Sequence, residues 1–219
     1  MVYATPDLDA SVKTLANRLG TTPVPGGSHP AWGTRNALVG LGVGFYLEIV
    51  GPDPTQPDPE QDRPFLIDDL SEARLVTWAY RHPDPESVRD ELEVRFRGTH
   101  ERDTHENVGL GPVRYMSRTH PEGDPLHWRL SDPLALPANG IVPFVIDWGA
   151  TPHPSTTLPN ECELVQLVVQ HPDADTLRPA LDVFRPLLEE PQADLLLRWA
   201  SEPGIHARIQ TRKGIVELS

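Results

Sequence analysis

A chain of 219 residues with 38% hydrophobic content can bury a substantial core, as one large domain or two small ones. Its net charge of −13 excludes a phosphate-seeking surface, and no apolar run approaches the roughly 20 residues of a membrane span, so neither nucleic acid nor membrane is an expected partner. Cys162 is the sole cysteine, which excludes an intrachain disulfide and, with a start that enters a strand at once, points to a cytoplasmic setting.

In chain order, Val2-Tyr3-Ala4 reads as a strand, and Asp9 to Leu19 as a helix with Val12, Leu15, Ala16 and Leu19 on one face. Gly20 ends that helix and Pro25-Gly26-Gly27 forms a turn. Asn36 to Leu41 and Phe45 to Val50 make a hairpin across Gly42-Val43-Gly44. With a second strand near Thr22-Val24, residues 1–51 form a βαβββ unit, followed by a Pro- and acid-rich connector at residues 52–73. Residues 74–150 repeat the order. They hold a strand at Arg74–Tyr80, a helix at Glu86–Phe96 and a polar excursion from Gly98 to Gly109, then strands at Val113–Met116, His127–Leu130 and Val142–Trp148. Residues 151–161 are a linker. Residues 162–219 form a third, smaller unit with a strand at Glu163–Val169, a helix at Asp175–Leu188 and strands at 194–200, 204–211 and 214–218.

All three units open alike, at Thr5-Pro6-Asp7-Leu8-Asp9, His82-Pro83-Asp84-Pro85-Glu86 and His171-Pro172-Asp173-Ala174-Asp175. The proline ends a strand and the acid caps the first helical turn. The expected fold class is therefore α+β, with three repeated βαβββ modules. The 25 prolines gather in the connections, notably Pro52 to Pro64 and Pro133 to Pro159, where they fix extended loops.

Candidate chemistry concentrates at strand ends. Along Phe45 to Val50, Phe45, Leu47 and Ile49 share one face while Tyr46 and Glu48 share the other, so Glu48 sits at an exposed edge or faces a polar hollow. His29, Thr34 and Asn36 collect donors and acceptors at a strand mouth. Asp147 and Trp148 end another strand. Arg118 and Arg129 stand on neighbouring strands and, pointing inward together, would grip an anionic substrate; pairing with surface acids is the equal alternative. Trp78, Trp128 and Trp148 would wall an apolar ligand or pack a core. His100, His105 and His127 do not repeat a zinc spacing and read as a solvated group.

The segments His29-Pro30-x-x-Gly33-Thr34-x-Asn36-x-Leu38, Tyr46 to Pro54, Val142-Pro143-Phe144-x-Ile146-Asp147-Trp148-Gly149 and Thr151-Pro152-His153-Pro154, with Pro112 to Arg118 and Trp128-Arg129-Leu130, resemble the glyoxalase-like branch of the vicinal oxygen chelate superfamily. The resemblance spans essentially the whole chain. It implies curved, cup-like mixed sheets around a metal or small ligand, and a metal-assisted lyase, isomerase or dioxygenase acting on a small oxygenated molecule. The implied alternative is a metal-free protein that binds or sequesters such a molecule. Glu48 would be a metal ligand or general base and His29 an acid/base or ligand. Thr34, Asn36, Tyr46, Trp78, Arg118, Arg129 and Asp147 would hold the substrate. The metal would be Fe, Mn, Ni or Zn, with Gln166 and Glu217 as further ligand candidates from unit three. The family's first-strand ligand position falls one residue before Met1 in unit one, at Thr77 in unit two and at Gln166 in unit three. A homodimer pairing unit three between chains is also compatible with this organisation.

Overall fold

A computed structural model describes residues 1–96, 109–118, 126–184 and 193–219. The first unit consists of β1 (Val2–Ala4), α1 (Leu8–Leu19), β2 (Val24–His29), β3 (Thr34–Gly40) and β4 (Tyr46–Pro52). Asp7 caps α1 through Oδ1, which accepts from the Ala10 N–H at 3.0 Å, and Gly20 stops it at φ 72° with its own N–H on the Ala16 carbonyl. The second unit contains β5 (Arg74–Thr77), β6 (Ala79–Arg81), α2 (Pro85–Phe96), β7 (Val113–Arg118), β8 (Leu126–Ser131) and β9 (Phe144–Asp147). The third contains β10 (Glu163–His171), α3 (Ala174–Phe184), β11 (Asp194–Trp199), β12 (Gly204–Thr211) and β13 (Gly214–Leu218).

The shared helix entry has a shared geometry. The residue before each proline accepts from the aspartate N–H two positions on: Thr5 Oγ1 at 3.0 Å, His82 Nδ1 at 3.1 Å and His171 Nδ1 at 2.9 Å. A hydroxyl and two imidazoles thus do one job, turning the chain out of a strand and presenting the capping acid. His82 and His171 are turn-makers. His100, His105 and His120 lie outside the described residues.

Two expected strands change length for identifiable reasons. The Arg74–Tyr80 run breaks at Trp78, whose indole N–H donates to the Ile141 carbonyl at 2.8 Å and whose ring packs edge-on against Phe184. The break lets β5 pair with β1 and β6 with β9. The last strand of unit two begins at Phe144 because residues 137–140 make a tight turn with left-handed Ala138 and Asn139. There Gly140 is required: at φ +84° an added Cβ would lie 1.9 Å from the Val76 carbonyl oxygen.

Three mixed sheets result. One has the order β2-β3-β4-β1-β5, one β6-β9-β8-β7 and one β11-β10-β12-β13. In the first two sheets the opening strand lies parallel to the last strand of its unit, β1 on β4 and β6 on β9. In the third, β10 lies between β11 and β12, parallel to β11, so β13 is an edge. The chain order is the same in every unit, but the pairing is not. The principal core joins one face of the first sheet (Leu47, Ile49, Val39) to Leu15 and Leu19 of α1, and to Leu92 of α2, Phe184 of α3 and Leu167 and Ile209 of the third sheet. A second cluster, with Val2, Ala4 and Val50 from the first sheet and Leu130, Phe144 and Ile146 from the second, lies on the other side of the first sheet.

Candidate functional site

Strand alternation builds the site. On β4, Leu47 and Ile49 enter the principal core, which turns Tyr46, Glu48 and Val50 to the opposite side. There they meet Thr34, Asn36 and Leu38 of β3 and His29 of β2. The facing wall comes from the second sheet: Met116 and Arg118 of β7, Trp128 and Leu130 of β8, Phe144 and Ile146 of β9, then Trp148. Trp32, Pro64, Phe65, Pro133 and Pro154 complete a cavity of about 620 Å³ of empty space, counting solvent at its mouth.

The polar groups converge in a largely aromatic enclosure. Asn36 Nδ2 donates to Glu48 Oε1 at 2.6 Å, a diagonal pair across β3 and β4. Its Oδ1 accepts a long bond, 3.4 Å, from Arg118 Nη1, which links the two sheets. His29 Nδ1 lies 2.9 Å from Thr34 Oγ1. Burial lowers the His29 pKa, the Glu48 charge opposes that and Arg118 reinforces it, so the imidazole is held neutral. Burial, then the Glu48 charge, pushes the Tyr46 phenol up, keeping it protonated. Behind His29, Asp53 accepts from Ser28 Oγ at 2.8 Å, Thr55 Oγ1 and Gln56 Nε2 at 2.7 Å each, and Thr55 N–H at 3.0 Å. Burial opposes its ionisation, but the Gln56, Thr55 and Ser28 donors hold its carboxyl well below the usual range. His153 packs edge-on against Tyr46 and Trp148 near the cavity, and burial, with Arg81 nearby, lowers its pKa to about 4.

Of the residues singled out from sequence, His29, Thr34, Asn36, Tyr46, Glu48 and Arg118 line this one cavity. Trp78 does not; it belongs to the principal core. Arg129 and Asp147 are also elsewhere. Trp128 and Leu130 face the cavity, so alternation turns Arg129 to the other side, where Nη2 reaches Asp147 Oδ2 at 2.8 Å and Nη1 reaches Glu86 at 3.3 Å. The same parity turns Asp147 away from Phe144 and Ile146. Gln166 and Glu217 lie in the third sheet and do not join Glu48. Sequence reasoning missed Trp32, Met116, Phe65 and Phe144 as walls. For Met116 and Phe144 the signal was available in the spacing from Arg118 and Ile146.

These residues do not fit a divalent-metal centre. Glu48 and His29 are the carboxylate and imidazole of the cavity, a bound first-row ion normally takes three protein ligands, and Arg118 adds a positive charge beside them. Among the described residues there is no group of three His, Cys, Asp or Glu that could hold a metal.

Two facing βαβββ sheets around a hollow define a vicinal oxygen chelate protein. The family model for a Glyoxalase-like domain matches residues 1–184, and the chain belongs to that family. A hypothetical protein from Staphylococcus aureus has the same fold over 100% of this chain and 96% of its own, with a TM-score of 0.63 and 13% identity. Methylmalonyl-CoA epimerases align more loosely. That of Streptomyces coelicolor (a point variant in complex with 2-nitronate-propionyl-CoA) has a TM-score of 0.40 at 17% identity over 68% of this chain and 94% of its own. That of Mycobacterium tuberculosis has a TM-score of 0.35 at 18% identity over 68% and 85%. No curated protein shows significant sequence similarity to the chain. No helix among the described residues is long and apolar enough to cross a membrane.

Proposed function

We propose that the chain binds a small oxygenated organic molecule in this cup and moves a proton on it, with Glu48 as the acid–base group. One observation carries the reading: Glu48, Asn36, His29 and Arg118, from four strands of two sheets, line a single hollow whose other walls are mostly apolar. Asn36 fixes one Glu48 oxygen, which orients the carboxylate to accept a proton. In this reading a C–H beside a carbonyl breaks and its proton passes to Glu48. The electron pair moves onto the carbonyl oxygen, which N–H donors on the Arg118 side of the cavity stabilise. Return of the proton to either face completes an isomerisation; expulsion of a neighbouring leaving group instead completes a lyase reaction. The aromatic walls exclude water and strengthen both interactions.

The test is proton NMR in D₂O with a panel of aldehydes, ketones and 2-oxo acids. Deuterium should enter the C–H beside the carbonyl of at least one compound. The Glu48→Gln variant should slow that exchange by about 100-fold or more while still binding the compound, followed by tryptophan fluorescence. Exchange at an undiminished rate in the variant overturns the assignment of Glu48. A second reading, a metal-free binding or sequestering protein, is favoured by the density of aromatic rings in the lining. Fluorescence quenching without any exchange in the wild type would select it.

A further inference from the structure

Arg118 is unlike the other buried or half-buried arginines of this acidic chain. Arg63, Arg114 and Arg129 each hold a carboxylate at 2.9 Å or closer. Arg118 is 8% exposed and forms no ion pair with a described residue; its Nε, like that of Arg114, has no hydrogen-bond partner among the described residues, and among them Nη1 meets only Asn36, at 3.4 Å. Its position is nevertheless built. Gly26 on β2 carries no side chain, and a Cβ there would lie 2.6 Å from Arg118 Nη1 and 2.0 Å from Asn36 Oδ1. The Trp148 indole nitrogen, also in a cavity-lining residue and 8% exposed, likewise lacks a partner among the described residues. A buried guanidinium with idle donors is costly unless something supplies the missing acceptor.

We propose that Arg118 is the receptor for the carboxylate of a flat, apolar organic monoanion, so that the cup takes an aromatic or unsaturated carboxylic acid in its ionised form. The proposal rests on the reading of this cavity as the ligand site and names the ligand's chemistry. A carboxylate matches the planar fork of the guanidinium and supplies a counterion that no described residue pairs with it. The ligand body meets Trp128 and Trp148, tilted at 40° with centroids 5.4 Å apart, and Phe65 and Phe144 at 5.7 Å. Glu48 shares the space, so a second negative charge on the ligand is repelled and a monoanion is favoured over a dianion.

Titration of the wild-type chain with phenylacetate, phenylacetamide and acetate, followed by tryptophan fluorescence and calorimetry, tests this. Phenylacetate should bind at least 10-fold more tightly than its neutral isostere and than acetate. Arg118→Gln should erase the preference for the anion over phenylacetamide, and Gly26→Ala should weaken phenylacetate selectively. Arg118→Met should unfold at the wild-type temperature or above it, because no ion pair with a described residue is lost; if either Arg118 variant fails to fold, the wild-type selectivity alone decides. Equal affinity for amide and anion, or a preference that survives Arg118→Gln, overturns the proposal. Glu48-dependent exchange on neutral carbonyl compounds with no phenylacetate binding would overturn it and leave the proposed function standing. Selective anion binding with no exchange would do the reverse.

Discussion

Glu48 and Glu217 hold the same place in their units, on the final strand of a βαβββ run, and they meet opposite fates. Glu48 is hydrogen-bonded to Asn36 and lines the cavity between two sheets. Glu217 is on an edge strand, its side chain 74% exposed, with Arg208 Nε at 3.4 Å. The difference lies in sheet pairing. Units one and two set the opening strand against the last strand and then face one another. Unit three inserts β10 between β11 and β12 and contributes its inner face to the core beneath α1 and α3. A repeated chain order supplies a carboxylate at a fixed place, but a cavity arises only where a second sheet closes over it.

The comparison breaks most visibly in stability. Leu47→Ala, on the core face of Glu48's own strand, should cost about 2–5 kcal/mol in denaturant unfolding, because a fully buried side chain is removed. Ile215→Ala, on Glu217's strand and 44% exposed, should stay within about 0.5 kcal/mol. Comparable losses would show Glu217's face of its strand to be as embedded as the core face of Glu48's strand. Next, Glu48→Gln should slow solvent exchange into the ligand by about 100-fold whereas Glu217→Gln leaves it unchanged; matching rates in the two variants would erase the functional distinction.

Asp53 sharpens the contrast from behind the cavity. Asp53→Ala strands the donors of Ser28, Thr55 and Gln56 and should cost about 2–3 kcal/mol, with weaker ligand binding because Ser28, the neighbour of His29 on β2, loses its anchor. Unaltered binding in a folded Asp53→Ala chain would limit that knot to stability. The last effect is on pH. The folded His153 pKa, about 4, lies below its ordinary 6.5, so as acid is added the unfolded chain takes up the proton first. His153 therefore leaves stability intact above about 6.5 and erodes it as pH falls toward 4; His29 acts in the same direction. Thermal unfolding of His153→Gln between these limits should show a shallower decline than wild type, and an identical decline would remove His153 from the account.

Local chemistry was legible in the residues themselves. Proline followed by aspartate ended strands and capped helices at Asp7 and Asp84, since both effects act within a few residues. Alternation along Tyr46-Leu47-Glu48-Ile49 separated core from cavity because a strand has two faces whatever it packs on. The same parity, extended from Trp128, would have turned Arg129 away from Arg118, although it cannot say which face is inward. That choice, the break at Trp78, the glycine at position 26 that admits a guanidinium, and the unmatched pairing of the third sheet were decided by contacts between residues far apart in the chain. Strand pairing and sheet facing are long-range events, settled by which apolar surfaces find one another, and nothing within a single strand encodes the partner it will meet.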